Sequence, residues 1–319
     1  MYAMLVDENR NLNWSRVPDP VRKDGEVLIE VHAAALNRAD LLQRAGKYPP
    51  PPGWPEWMGL ECAGVILESS ERSRWKPGDR VCALLGGGGY AEQAAAPEEM
   101  VMRIPEGLSM SEAASLPEAF ATAWLNLCIE AGMKAGDTVW IQAGASGLGI
   151  AAIQLAGSFG AKVITTVGSE EKAGAVRKLG ADIVVNRKTD DLGRVLDDTP
   201  PDIVLDCVGG PELGRHMEKL APGGRWILIA TLGGEHAEIP LRPILKRGLR
   251  LIGSTLRSRS SEVKGRILRE LETRLWPEIE AGKIRPVIYK TFPITEAAEA
   301  HAVLERSENI GKVVLRLRA

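Results

Sequence analysis

The sequence predicts an α/β protein in which a β-rich domain carries an inserted second domain, a doubly wound parallel sheet. Three observations lead there. Residues 1 to about 115 read as short β-like runs between turn signals, and residues from about 118 to 255 alternate strands with helices. Residues 285–319 then return to the first texture, so the alternating segment interrupts a domain that the C-terminus rejoins. A length of 319 residues leaves room for both. The expected division is 1–118 with 285–319 for one domain and 119–284 for the other.

In the first domain, strands are expected at Val27-Leu28-Ile29-Glu30-Val31, at 62–67, and at 80–84 after the turn Lys76-Pro77-Gly78-Asp79. Two loops stand out: 48–53, stiffened by consecutive prolines, and the glycine run 86–89. Either could be plain connection. In the second domain, strands are expected at 138–142, 162–167, 182–185, 202–207, 225–230 and 249–253. Apolar runs such as Ile203-Val204-Leu205 suit strands covered on both faces. A helix opening near Ser169 has a serine cap, Glu170 and Glu171 in its first turn, and Gly180 beyond its end. A charged helix over about 260–281 follows, assigned to the inserted domain.

Composition excludes several functions. Forty basic against 42 acidic residues leave a net charge of −2, which argues against nucleic acid or an anionic membrane as partner. The N-terminal residues lack the apolar core of a signal peptide, and no run reaches the roughly 18 apolar residues of a membrane span. Cys62, Cys82, Cys128 and Cys207 lie far apart without CxxC spacing, as reduced thiols of a cytoplasmic protein would. None of the four histidines pairs with a cysteine at ligand spacing, which argues against zinc. Ten basic residues crowd 242–274; they either attract a phosphate-bearing ligand or line a solvated helix face. Eight tryptophans against three phenylalanines have no functional explanation in the sequence.

The stretch most informative about chemistry is GASGLG at 144–149. It follows the strand Thr138-Val139-Trp140-Ile141 and precedes small and apolar residues at helical spacing. Strand, glycine turn and helix open a dinucleotide-binding βαβ unit, with Ser146 where the middle glycine of G-x-G-x-x-G usually stands. Ser146 is expected to offer its backbone N–H and hydroxyl to a phosphate at the helix start. A flavodoxin-like fold with a tight turn is the alternative. The second strand ends in Gly168-Ser169, with Lys172 one turn on and no acid placed to accept from a ribose 2′-OH, which favours NADP over NAD. Glu170 and Glu171 add negative charge nearby; as partners of the helix dipole they leave that reading intact, and pointing inward they reverse it.

Several segments together resemble one family. They are residues 35–44 with Gly46 and 48–53, residues 143–149, Gly168-Ser169 with Lys172, residues 205–210, and residues 309–315. The pattern resembles the zinc-free quinone oxidoreductase (zeta-crystallin-like) branch of the medium-chain dehydrogenase/reductases. Within that branch it is most similar to the subgroup of tumour-suppressor-inducible quinone oxidoreductases and their bacterial relatives. The resemblance implies a GroES-like catalytic domain, an inserted Rossmann domain, NADPH, no metal, and a homodimer. The expected dimer contact is the edge strand Leu249-Arg250-Leu251-Ile252-Gly253-Ser254. In zinc-dependent relatives a cysteine ligand falls where Asn37 stands, and Gly-His-Glu where Gly59-Leu60-Glu61 stands.

The resemblance also assigns roles by position. Ala145, Ser146, Gly147, Leu148 and Gly149 are expected to hold the pyrophosphate, and Gly168, Ser169 and Lys172 to border the 2′-phosphate. Arg187 stands where the family often has a tyrosine; it would pair with the phosphate and stack on the adenine. Val208, Gly209, Thr231, Leu232 and Gly233 are expected near the ribose and nicotinamide, and Asn309 to close the cofactor cleft. Asn37, Asp40 and Tyr48 are the candidate catalytic residues, with Tyr48 orienting the substrate carbonyl, or donating a proton through water, or else packing beside the prolines. The implied reaction is NADPH-dependent hydride transfer to a quinone or similar conjugated carbonyl. An enone or enoyl-thioester reductase, and a catalytically idle NADPH-binding protein, remain as alternatives.

Overall fold

The computed structural model describes residues 1–318, and element counts refer to these. Strands β1 (Tyr2–Val6) and β2 (Leu12–Arg16) form an antiparallel pair. The ten-residue β3 (Glu26–Ala35) is apolar and buried along most of its length. It pairs with β4 (Glu61–Glu68) on one side and, over residues 26–30, with β6 (Gln93–Pro97). Register shifts between Val31 and Ala33 bend it, as bulges do. Between β3 and β4 lies the short helix α1 (Arg38–Arg44), and β5 (Arg80–Leu84) and β7 (Val101–Arg103) extend the sheet beyond β4. Helix α2 (Met110–Ala114) starts at a reciprocal cap of Ser109 and Glu112, and α3 (Pro117–Trp124) follows.

Next come six strands joined by helices: β8 (Thr138–Ile141), α4 (Gly147–Ser158), β9 (Lys162–Val167), α5 (Glu170–Arg177), β10 (Ile183–Asn186), α6 (Leu192–Asp198), β11 (Ile203–Asp206), α7 (Gly210–His216), β12 (Arg225–Leu228), α8 (Leu241–Arg247) and β13 (Arg250–Gly253). All pairings are parallel, in the order β10-β9-β8-β11-β12-β13. Chain order therefore reverses between β8 and β11, the switch point outside which doubly wound sheets bind ligands. Each expected strand is present within a residue or two. The tryptophan excess finds a structural use here: Trp140 and Trp226 are fully buried edge to face, ring centroids 5.4 Å apart.

The chain returns through α9 (Ser261–Arg274), α10 (Trp276–Glu280), β14 (Ile288–Pro293), α11 (Ala297–Glu305) and β15 (Lys312–Arg316). β15 pairs antiparallel with β3 and parallel with β14, completing a seven-stranded sheet. The fold is thus a GroES-like β-rich domain with an inserted Rossmann sheet.

Two compact units result, Met1–Ala121 with the residues from Arg257 onward, and Thr122–Leu256. This shifts the expected second boundary from 284 to 256. The charged segment 260–281 is two helices, not one, and both belong to the first unit. Trp276 Nε1 donates to the Arg103 carbonyl at 2.7 Å, and Glu272 accepts from the Arg103 N–H at 2.9 Å. An amphipathic pattern shows that a helix has an apolar face but does not say which surface that face covers.

Candidate functional site

In the second unit, β8 passes to α4 through a turn that only small residues can make. A Cβ on Gly144 would lie 2.0 Å from Thr165 Oγ1, and one on Gly149 would lie 2.4 Å from the Ala143 carbonyl oxygen. Ser146 is the N-cap of α4: its Oγ accepts from the Gly149 N–H at 3.0 Å. Its own N–H is committed to the Ala143 carbonyl at 2.9 Å. This corrects the expectation that the Ser146 backbone N–H faces a phosphate. Gly147 and Leu148, in the first turn of α4, carry the N–H groups that an α-helix leaves without a carbonyl one turn back. Ala145 is buried just before them.

At the end of β9 a second polar cluster forms. Ser169 caps α5, its Oγ accepting from the Lys172 N–H at 3.3 Å. The Arg187 guanidinium lies over Gly168, where a Cβ would stand 3.5 Å from Nη2. Burial, and next the charge of Arg187, pull the Lys172 ammonium below the usual lysine range. Two cations held this close favour an anion beside them. Glu170 is turned to Arg177, at 2.9 Å on the exposed helix face, so it is a surface partner.

The loop after β11 is held by Asp206, the last residue of that strand. Its fully buried carboxylate accepts from the Val208 and Gly209 N–H groups at 2.7 and 2.8 Å and from Trp226 Nε1 at 2.8 Å. The next loop ties to it, Gly233 N–H donating to the Val208 carbonyl at 2.7 Å and Leu232 N–H to that of Cys207 at 3.5 Å, with Thr231 leading in. Five of the expected cofactor residues thus share one backbone-bonded pair of loops at the strand ends.

In the first unit the candidate catalytic residues are set on a buried ionic network. Lys312, at the start of β15, donates to Glu61 Oε1 at 2.6 Å, to Asn37 Oδ1 at 2.7 Å and to the Leu36 carbonyl at 2.7 Å. Asn37 Nδ2 also donates to Glu61 Oε1, at 3.0 Å, and Glu61 Oε2 accepts from the Glu118 N–H at 2.8 Å. Asp40 accepts from the Asn37 N–H at 2.7 Å, from Tyr90 Oη at 3.1 Å and from the Gly59 N–H at 3.3 Å. Burial pushes the Asp40 carboxyl up to about 6; it pushes that of Glu118 up to about 7, with the charge of Glu61 adding to the effect. Asp40 is fully buried, so it organises the helix start and does not meet a substrate, contrary to expectation. Both polar atoms of the Asn37 side chain are engaged with the protein as well. Asn309 sits in the turn before β15, its Nδ2 bonded to the Gly311 carbonyl at 2.7 Å.

Tyr48 alone of the three stands outside this network, half-buried, with the Arg257 guanidinium carbon 4.1 Å from its ring centroid. The glycine run 86–89 is more than connection. It is buried against 54–59, with Gly88 N–H donating to the Trp57 carbonyl at 2.9 Å and Gly89 N–H to that of Gly59 at 3.0 Å. The basic stretch 242–274 divides: Lys264 is buried and Arg257 stacks on Tyr48, whereas Arg242, Lys246, Arg250, Arg266 and Arg269 are exposed. Lys312, Glu61, Glu118 and Arg257 are the residues that sequence reasoning missed.

Comparison with known proteins gives consistent matches over nearly the whole chain. Residues 23–106 match the model of the alcohol dehydrogenase GroES-like domain, and residues 147–273 that of the zinc-binding dehydrogenase. The chain is 34% identical over 310 residues to a quinone oxidoreductase of Sus scrofa, covering 95% of this chain and 92% of the relative. Among solved structures it is similar to the quinone oxidoreductase of Thermus thermophilus, described with its NADPH complex (32% identity, TM-score 0.84, 99% and 100% coverage). It is also similar to the CurK enoyl reductase (28% identity, TM-score 0.85, 99% and 98% coverage).

A zinc ion, which the second model's description implies, does not fit the residues present. The position beside Glu61 offers an apolar Leu60 and an amide at Asn37, and the Glu61 carboxylate is taken up by an ammonium, an amide and a backbone N–H. Among the described residues no group of three or more His, Cys, Asp or Glu side chains is placed to hold a metal. Lys312→Met should leave Glu61 buried and unpaired, and so destabilise the fold by about 3–5 kcal/mol in denaturant unfolding. The double variant Lys312→Met/Glu61→Gln should recover a large part of that loss. Additive losses would show that the two side chains do not act as a pair.

Proposed function

The chain belongs to the medium-chain dehydrogenase/reductase superfamily, and we propose that it is a zinc-independent, NADPH-dependent reductase of quinones or similar conjugated carbonyl compounds. The observation that supports this reading is the Lys312–Glu61–Asn37 cluster, in which Asn37 and the residue before Glu61 are, by the family resemblance, at ligand positions of zinc-dependent relatives. With no donor set to polarise an alkoxide, the acceptor has to be electrophilic already. A quinone, or an alkene conjugated to a carbonyl, meets that requirement.

The nicotinamide cofactor would supply the hydride. Residues 145–149, at the start of α4, suit a pyrophosphate, because helix N-termini present N–H groups and positive dipole ends to anions. Lys172 and Arg187 suit a 2′-phosphate, with Gly168 and Ser169 beside them. Val208, Gly209, Thr231, Leu232 and Gly233 offer backbone groups for the ribose and nicotinamide, and Asn309 a further amide. Tyr48 orients the substrate carbonyl and supplies its proton. The likeness to an enoyl reductase supports a second reading, an enone or enoyl-thioester as substrate, in which the same residues act in the same way.

We further propose a cytoplasmic homodimer. No disulfide joins the four cysteines, and among the described residues no helix is long and apolar enough to cross a membrane. β13 is the outer strand of its sheet, so one edge of its backbone is unpaired, and Leu251 on it is 43% exposed. Leu241 and Leu245, on the preceding helix, are 75% and 84% exposed, more than a monomer's surface ordinarily leaves bare.

Three measurements test these readings. NADPH oxidation should proceed with quinones or enones and be unaffected by a chelator; activity lost to the chelator and restored by zinc would refute the metal-free reading. Lys172→Ala should weaken NADPH binding roughly tenfold or more while barely changing NADH binding, since a charge-assisted hydrogen bond contributes about 1.5–3 kcal/mol. Equal loss of both cofactors would overturn the 2′-phosphate assignment. Light scattering at micromolar concentration should give the mass of two chains, and substitution of Leu251 by Lys should shift it toward one.

A further inference from the structure

Arg257 is placed in a way that packing alone does not explain. Its guanidinium carbon lies 4.1 Å from the centroid of the Tyr48 ring. Its Nη2 donates to the Gly86 carbonyl at 3.1 Å and to Gln43 Oε1 at 3.4 Å. Its Nε and Nη1 are buried and have no hydrogen-bond acceptor. Buried N–H groups of a cation without acceptors are costly, and the negative face of the Tyr48 ring offsets part of that cost. The Arg257 backbone is pinned too, its carbonyl accepting from Lys264 Nζ at 3.1 Å.

The Gly86 contact explains part of the glycine run. A Cβ on Gly86 would lie 2.6 Å from the Trp54 indole, so only glycine lets this carbonyl sit against Trp54 and still meet Arg257. With one arm on a rigid loop and the guanidinium over a ring, this geometry fixes where the ring sits. It also fixes a positive charge beside the phenol.

We propose that Arg257 is the positioning residue for Tyr48, holding its ring in place and stabilising negative charge on its oxygen while it protonates the substrate. This rests on the reading of the protein as a carbonyl-conjugate reductase. A bound nicotinamide cofactor would supply the hydride to the conjugated system, and an electron pair would then move onto the carbonyl oxygen. The Tyr48 O–H bond breaks, its proton goes to that oxygen, and the resulting phenolate stays beside Arg257 until solvent returns a proton.

The electrostatics agree with this arrangement. Burial pushes the Tyr48 phenol above its ordinary range, and the charge of Arg257 acts against that push. Glu118 is the acid that works the other way on Tyr48, and Lys264 is the further cation near Arg257 and Glu118. Arg257 is thus the charged group best placed to favour the phenolate. A lysine would keep the charge but lose the planar fork that reaches Gly86 and the ring together.

The test compares wild type with Arg257→Gln, Arg257→Lys and Tyr48→Phe. The first readout needs no turnover: tyrosinate absorbance is titrated in the cofactor-free protein, and subtracting the Tyr48→Phe curve isolates Tyr48 among the four tyrosines. The Tyr48 curve should move to higher pH in Arg257→Gln and lie between the two in Arg257→Lys. The second readout is steady-state: kcat should fall about tenfold or more in Arg257→Gln, the scale of a partly buried cation–π contact, with NADPH affinity unchanged. In a Tyr48→Phe background the same substitution should cost little further. A Tyr48 curve unmoved by Arg257→Gln, or an equal loss of kcat with and without the Tyr48 hydroxyl, would overturn the proposal. Full kcat in Tyr48→Phe alone would instead refute the proton-donor role of Tyr48, and the titration would still judge the pairing. Arg257→Lys keeps the comparison available if Arg257→Gln does not fold.

Discussion

An ammonium group taken out of water needs an acceptor for each of its donors, and in this protein the demand is met by three different parts of one unit. Lys312 opens the last strand; its acceptors are a carbonyl at the end of β3, the amide of Asn37 just before α1, and the carboxylate of Glu61 that opens β4. The start of β15, the exit of β3 and the entry of β4 are therefore drawn to one point. Removing either charge leaves the other buried, which costs far more than the pair contributes. The second oxygen of Glu61 extends the constraint to the start of α3, and Asn37 extends it to Asp40, Tyr90 and Gly59.

That node holds more carboxylates than cations, and the imbalance has a chemical consequence. Asp40, Glu61 and Glu118 share one region with Lys312 and Lys264. Burial raises the Asp40 carboxyl to about 6, and burial with the charge of Glu61 raises that of Glu118 to about 7. The Lys312 ammonium balances part of that charge with a fixed geometry, and Tyr48 lies outside the node, half-buried against Arg257.

The second unit is organised by a different constraint, that of backbone groups at strand ends. The glycine turn brings α4 close to β8 because Gly144 and Gly149 present no Cβ to Thr165 and Ala143. Asp206 holds the following loop through two N–H groups and anchors it to the core through Trp226. Lys172 and Arg187 are kept near each other against their mutual repulsion, and Arg187 comes from the strand after the one that Lys172 follows. The charge of Glu171 acts in the opposite sense on Lys172.

The sequence by itself determined the fold class of both units and the position of the glycine turn. Periodicity and turn residues located all six parallel strands, and the glycines of 144–149 placed the helix start, because these signals are local. The resemblance to the family implied that Asn37 and Leu60 stand at ligand positions of zinc-dependent relatives. Only the tertiary structure decided what stands in their place, since Lys312 lies 251 residues from Glu61 in the chain and no periodicity connects them. The same holds for α9 and α10, whose apolar faces belong to the first unit, and for Arg257, hidden in the sequence among nine other basic residues. Asp40 shows the limit from the other side: its position in a familiar segment suggested catalysis, and burial by Tyr90, Gly59 and Asn37 makes it a cap. Propensity and spacing are properties of neighbouring residues, whereas desolvation and charge pairing depend on which distant segments meet.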